Sequence, residues 1–160
     1  MSLRSWNTDD VQRVGYIDIN GRRCLDATPP HHKPGFNTVI FDTKTGQVKD
    51  QRYFDTHRST EESEKLSEYL RWLSDGMALL GLSAGEYRGS MTDDLKETLD
   101  AIGISQADDG RFCEKLVFAV VIGSPGNSIV RHSSGVDNNN LLVNVTIDSQ
   151  NRDIRLLERL

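Results

Sequence analysis

The run from Phe36 to His57, FNTVIFDTKTGQVKDQRYFDTH, constrains the fold more than any other part of the chain. Val39, Ile40 and Phe41 form an apolar run of strand length. Thr43-Lys44-Thr45-Gly46 follows, with Gly46 where a positive φ costs least. Val48 to Phe54 reads as the return strand, so the segment is a β-hairpin. Its end, Phe54-Asp55-Thr56, repeats the triplet Phe41-Asp42-Thr43. Directly after it, Ser59-Thr60-Glu61-Glu62 sets serine and glutamate at capping-box spacing and opens a helix. Asp55 stands between strand and helix, where a carboxylate accepts backbone N–H groups in an Asx turn.

The flanking segments extend this pattern. Val11 to Ile19 alternates weakly and meets Asn20-Gly21, a strong two-residue hairpin signal, with Arg22 to Ala27 as its partner strand. Three prolines between Thr28 and Gly35 make that stretch a loop. The first helix aligns Leu66, Tyr69, Leu70 and Leu73 on one stripe, and Asp75-Gly76 stops it. Met77 to Ala84 is an apolar run of strand length. Ser90-Met91-Thr92-Asp93 is a second capping sequence, with Leu95, Leu99 and Ile102 on one helical face and Gly103 just beyond it. Lys115 to Ile122 reads as a strand broken by Gly123-Ser124-Pro125-Gly126. Leu141 to Asp148 and Asp153 to Leu157 are two more, separated by the polar turn Ser149-Gln150-Asn151. The predicted fold is α+β: mostly antiparallel, sandwich-like β-sheets flanked by two helices. One domain is expected over 1–160, with a core at about 11–126 and C-terminal strands at 140–158.

Composition narrows the function classes. A formal net charge of −5 and a pI near 5.3 argue against a nucleic-acid footprint or an anchor on an anionic membrane. No apolar run approaches the ~20 residues of a membrane span. MSLRSWNTDD lacks the apolar segment of a secretory signal, and Met1-Ser2-Leu3 is compatible with an added leader. Cys24 and Cys113 are open to two readings, a bridge in an oxidising compartment or two separate buried thiols. Asn144-Val145-Thr146 is a glycosylation sequon inside a predicted strand and reads as a chance match.

Catalytic chemistry is hard to find. His31 and His32 are adjacent, so on an extended segment they point apart, and His57 and His132 are distant. No Cys-x-x-Cys or His-x-x-x-His spacing exists, and neither a metal nor a cofactor is expected. Ser83 and Ser124 follow strands, but neither lies in Gly-x-Ser-x-Gly. Gly123 to Gly126 lacks the Lys-Ser/Thr of a phosphate-binding loop. One polar cluster stands out, Glu86-Tyr87-Arg88 between Gly85 and Gly89. A tyrosine that stacks on a sugar ring, beside a carboxylate and a guanidinium that bond its hydroxyls, is equipment for carbohydrate binding. Arg111 is an outlying candidate for the same site.

From Ile17 to about Gly126 the order of elements resembles the ILEI/PANDER domain, also called the GG domain. PGFNTVIFDTKTGQVKDQRYFDTH is similar to that family's hairpin ending in Phe-Asp-Thr. STEESEKLSEYLRWL matches its acidic helix, MTDDLKETLDAIGIS its second helix, and VFAVVIGSPG its final strand. The resemblance implies an α+β sandwich without a known catalytic centre. It implies recognition of a glycan or protein partner, and a strand-to-helix corner ordered by Asp55 and Thr56. The family spans secreted cytokine-like proteins, the stem domain of an O-mannose N-acetylglucosaminyltransferase, cell-surface hyaluronan-degrading proteins and the hinge connector of phage long tail fibres. This chain departs from it at Ala84-Gly85-Glu86, at Phe112-Cys113-Glu114-Lys115, and in having two cysteines rather than four. The expectation is a non-catalytic recognition module that binds carbohydrate or a protein partner, in an extracellular or virion-associated setting. The rival is a structural connector of a larger particle such as a phage tail, which would form homo-oligomers through Leu141 to Leu157. An enzyme is the third alternative.

Overall fold

The computed structural model describes residues 2–5, 15–19, 21–27, 34–105, 115–124, 126, 128–133, 141–148 and 153–156. The chain runs β1 (Ser2–Ser5), β2 (Tyr16–Ile19), β3 (Arg22–Asp26), β4 (Gly35–Asp42), β5 (Gln47–Phe54), α1 (Thr60–Arg71), β6 (Met77–Ala84), α2 (Asp93–Ala101), β7 (Lys115–Val121), β8 (Ser128–Ser133), β9 (Leu141–Asp148) and β10 (Asp153–Leu156). Two five-stranded antiparallel sheets form, in the orders β10-β9-β1-β2-β3 and β5-β4-β6-β7-β8. The fold is thus α+β, as the sequence pattern predicts. Two strands carry no such sequence signal: β1, within the segment compatible with a leader, and β8, beyond the glycine turn.

The β5-β4-β6-β7-β8 sheet is the middle layer, and period-two alternation divides its side chains between two cores. Val39, Phe41, Leu80, Leu82, Val117 and Ala119 face the other sheet and meet Ile17 and Ile19. Phe36, Ile40, Leu79, Leu116, Phe118 and Val120 face the helices and meet Leu66, Leu70, Leu95 and Leu99. Strands buried on both faces read as continuous apolar runs, which is why Met77–Ala84 and Lys115–Val121 have almost no polar positions. Gly81 answers a packing demand in this layer. The Phe118 ring lies across it, and a Cβ at 81 would come within 2.0 Å of that ring.

Both helices begin on hydroxyl caps. Ser59 Oγ accepts from Glu62 N at 3.2 Å, and Thr92 Oγ1 accepts from Leu95 N at 3.2 Å. Ser90, the first residue of the second capping sequence, does not cap; its hydroxyl donates to His57 O at 3.1 Å. Between the helices, Asp94 accepts from Ser67 Oγ at 2.6 Å and from the Arg71 guanidinium, which also donates to Thr98 Oγ1 at 3.0 Å.

The two Phe-Asp-Thr triplets fasten opposite ends of β6. Asp42 Oδ1 accepts from Lys44 N and Thr45 N at 2.8 and 3.1 Å and closes the hairpin turn, where Gly46 has φ 71°. Those backbone donors hold the Asp42 carboxyl below its ordinary range. Thr43 Oγ1 donates to Gly76 O at 2.7 Å, just before β6. At the other triplet, Asp55 Oδ1 accepts from Arg58 N at 3.1 Å, while Thr56 Oγ1 donates to Tyr87 O at 2.6 Å, just beyond β6. Gly35, at φ 95°, fits beneath this corner because a Cβ would stand 2.1 Å from Phe54 O.

Candidate functional site

The sequence places a sugar site on the loop after β6, and the structure shows what that loop does. Thr56 is fully buried, and Ser90 N donates to Thr56 O at 2.8 Å. Ser63 Oγ donates to Ser90 O at 2.8 Å, so residues 85–92 are stitched to the corner and to α1. His57 packs on Gly89, where a Cβ would lie 2.7 Å from its Nδ1, a buried atom without a hydrogen-bond partner. This part of the surface is largely satisfied from within.

Tyr87 requires a correction. Its side chain is 0% exposed, and its ring meets Phe36 edge-on at a centroid distance of 5.0 Å. An aromatic ring inside the helix-facing core has no face to offer a sugar, so stacking on Tyr87 is excluded. Glu86 turns inward in its own way: Oε1 accepts from Tyr87 N at 3.0 Å and from Arg88 N at 2.8 Å. Arg88 Nε donates to the Tyr87 hydroxyl at 3.2 Å. The three residues form one structural unit. Arg111 and Cys113 lie outside the described residues, as do His31 and His32. Cys24 carries a free thiol that donates to Arg22 O at 3.5 Å.

A different surface has the shape of a binding site. The edge strands β3 and β5, one from each sheet, border a groove. Its trough has a volume of about 950 Å³ and is bordered by Arg22, Arg23 and Cys24 on β3 and by the first half of β5. It runs into a narrower recess of about 240 Å³ bordered by Leu25, Asp26, Asn37, Arg52 and Tyr53; Cys24 and Gln51 line both. Exposed apolar area gathers here. Of the three large hydrophobic side chains exposed among the described residues, Val48 and Tyr53 line the groove, and Trp72 at the end of α1 does not.

The polar lining is ordered by charge pairing. Arg23 bonds the Asp18 carboxylate and sits 3.8 Å over the Tyr16 ring. Lys49 reaches Asp42 at 3.6 Å. On the opposite, helix-facing side of β5, Arg52 donates to Asp50 at 2.8 Å and lies 4.6 Å over the Tyr69 ring. The Tyr69 hydroxyl donates to Asp50 at 3.2 Å, and burial beside that carboxylate pushes the phenol well above its ordinary range. Among the described residues no three His, Cys, Asp or Glu side chains converge to hold a metal ion, and no helix is long and apolar enough to cross a membrane. Arg22, Gln51 and Tyr53 escaped the sequence reading because each looks like an ordinary residue on the open side of a strand. Only the meeting of two edges from different sheets brings them to one groove.

A sequence profile described as interleukin-like EMT inducer matches residues 34–124, from the proline before the glycine under the corner to the turn after β7. Similar curated proteins include the cell migration-inducing and hyaluronan-binding proteins of Mus musculus and Homo sapiens. Each is 30% identical over 93 residues, which covers 58% of this chain and 7% of the relative. The matched segment is therefore a small part of those much longer proteins.

Proposed function

The chain belongs to the interleukin-like EMT inducer family, and from that premise we propose that it is a recognition module, acting by binding rather than by catalysis, whose groove between β3 and β5 holds an extended saccharide. The observation that carries this reading is Tyr53, which is 44% exposed at the recess and shares its face of the sheet with Gln51 and its cross-strand partner Asn37. An aromatic face beside an amide group matches a sugar ring, whose C–H face is apolar and whose rim is all hydroxyl. Eight-residue β5 spans about 27 Å at ~3.4 Å per residue, long enough for several linked rings rather than one. The names of the two relatives describe them as hyaluronan-binding, and hyaluronan is a saccharide polymer.

The groove is open and its polar groups are partly engaged with each other, so binding should be weak, with Kd of roughly 10–1,000 μM. An NMR titration of the chain with hyaluronan, chitin and cellulose oligosaccharides tests the reading. Expected are shifts confined to β3, β4 and β5, and a loss of about tenfold in affinity for Tyr53→Ala. Absence of shifts with every saccharide, or shifts that Tyr53→Ala leaves untouched, would remove this reading and leave a protein partner as the occupant.

A further inference from the structure

We infer that the groove selects acidic over neutral saccharide chains and that Arg22 is the residue that reads the charge. This rests on the groove being the saccharide site. Four basic residues border it, Arg22, Arg23, Lys49 and Arg52; Arg22 pairs with Ile19 and so stands on the face of β3 turned to the other sheet, whereas Arg23 turns to Asp18 and Tyr16, and Arg52 to Tyr69 of α1. These cations are not equally available. Arg23, Lys49 and Arg52 are each in contact with a carboxylate, from Asp18 and Asp26, from Asp42 and from Asp50. An anion that approached these three would compete with a partner already in place. Arg22 is exposed, lines the trough, and forms no ion pair or side-chain hydrogen bond among the described residues. It stands at the start of β3, directly after the turn at Gly21, where φ is 77° and even an added Cβ would meet no described atom within 4 Å.

A guanidinium is a planar fork of N–H donors, and carboxylates and sulfates both match it in bidentate geometry. The ligand class is therefore a saccharide chain bearing carboxylate or sulfate groups. Its rings pack at Tyr53 and one acidic group rests on Arg22. Arg22 contributes charge recognition, whereas Tyr53 contributes affinity common to acidic and neutral chains.

Affinities of the intact chain and of Arg22→Gln, measured by calorimetry and NMR, test this against three probes. These are a hyaluronan octasaccharide (carboxylate only), a chondroitin sulfate octasaccharide (carboxylate and sulfate) and chitooctaose (neutral). Expected is a preference of about tenfold for the acidic probes, the scale of one charge-assisted pair. Arg22→Gln should abolish that preference without changing chitooctaose affinity. Arg22→Lys, which keeps the charge without the fork, should retain part of it. A stronger effect of Arg22→Gln on the sulfated probe than on hyaluronan assigns the bonded group as sulfate, and equal effects assign it as carboxylate. Equal affinity of the intact chain for acidic and neutral probes, or a preference that survives Arg22→Gln, overturns the assignment of charge reading while leaving the saccharide groove intact. Failure of all three probes to bind strikes the groove reading itself. Arg22 is exposed, so an unchanged melting temperature for the variants separates lost contacts from lost fold.

Discussion

Thr43 and Thr56 do the same job at the two ends of one strand. Each is buried and sends its hydroxyl to a carbonyl flanking β6, Gly76 O and Tyr87 O, while the aspartate before it caps the local turn. Thr→Val preserves shape and removes one donor to a buried carbonyl, so each variant should lose about 1–3 kcal/mol of stability. The sites sit at opposite ends of an eight-residue strand, ~27 Å apart, and share no partner. The double variant should lose the sum to within ~0.5 kcal/mol in urea denaturation, and strong coupling between them would show that β6 is not held at two independent points. Gly35→Ala should cost more, about 2–5 kcal/mol, because it combines a strained positive φ with a Cβ in collision with Phe54 O. At this scale the sequence was a partial guide. Asp55 before a capping box announces a turn by local chemistry. Tyr87, between charged residues and glycines, gives no local sign of burial, because the hydrophobic partner that buries it, Phe36, is fifty-one positions away.

The elements most legible in the sequence are those whose signal is local and periodic. Both hairpin turns contain glycine at positive φ, both helices begin on a hydroxyl cap, and β6 and β7 are apolar on both faces. β1 and β8 were illegible for the opposite reason. SLRS and SIVRHS are short, polar in part and without clear alternation, and they become strands through pairing with β2, β9 and β7. The joint between the helices gives a test at this scale. Hydrogen bonds from Arg71 and then Ser67 hold the Asp94 carboxyl below the ordinary aspartate range. A carboxyl depressed in the folded state adds stability that is complete above its unfolded value, about 3.9, and is lost as pH falls through the lower folded value. The stability gap between the intact chain and Asp94→Asn should therefore be constant near neutral pH and close as the solution is taken from about pH 4 towards about pH 2. Other surface pairs, such as Asp93 with Lys96, titrate alike in both proteins and cancel in the difference. A gap that persists at low pH would mean that Asp94 acts through packing and not through its charge.

Over the whole molecule, charge is sorted by layer. α1 holds four acidic and two basic residues, and α2 four acidic and one basic, so the helices account for the full formal charge of −5. The strands and loops together are neutral, and the groove between the sheet edges carries one cation, Arg22, that no described carboxylate pairs. Sheets and helices pack in layers ~10 Å thick, and α2 lies beyond α1 as seen from β5, which places its outer face about 20 Å from the groove. At physiological salt the screening length is ~8 Å, so the charge on α2 is hidden from an acidic chain bound between β3 and β5; at about 0.01 M salt the length grows to ~30 Å and the repulsion is felt. Neutralising two exposed carboxylates there, with Glu97→Gln and Asp100→Asn, should leave hyaluronan affinity unchanged at about 0.15 M salt. The same variant should raise it about two- to threefold at about 0.01 M, the yield of Coulomb energies near 0.2 kcal/mol per charge pair at that distance in water. An equal rise at both salt concentrations would place the bound chain within a few ångströms of the helices, on the wrong side of the middle sheet for the groove to be its seat.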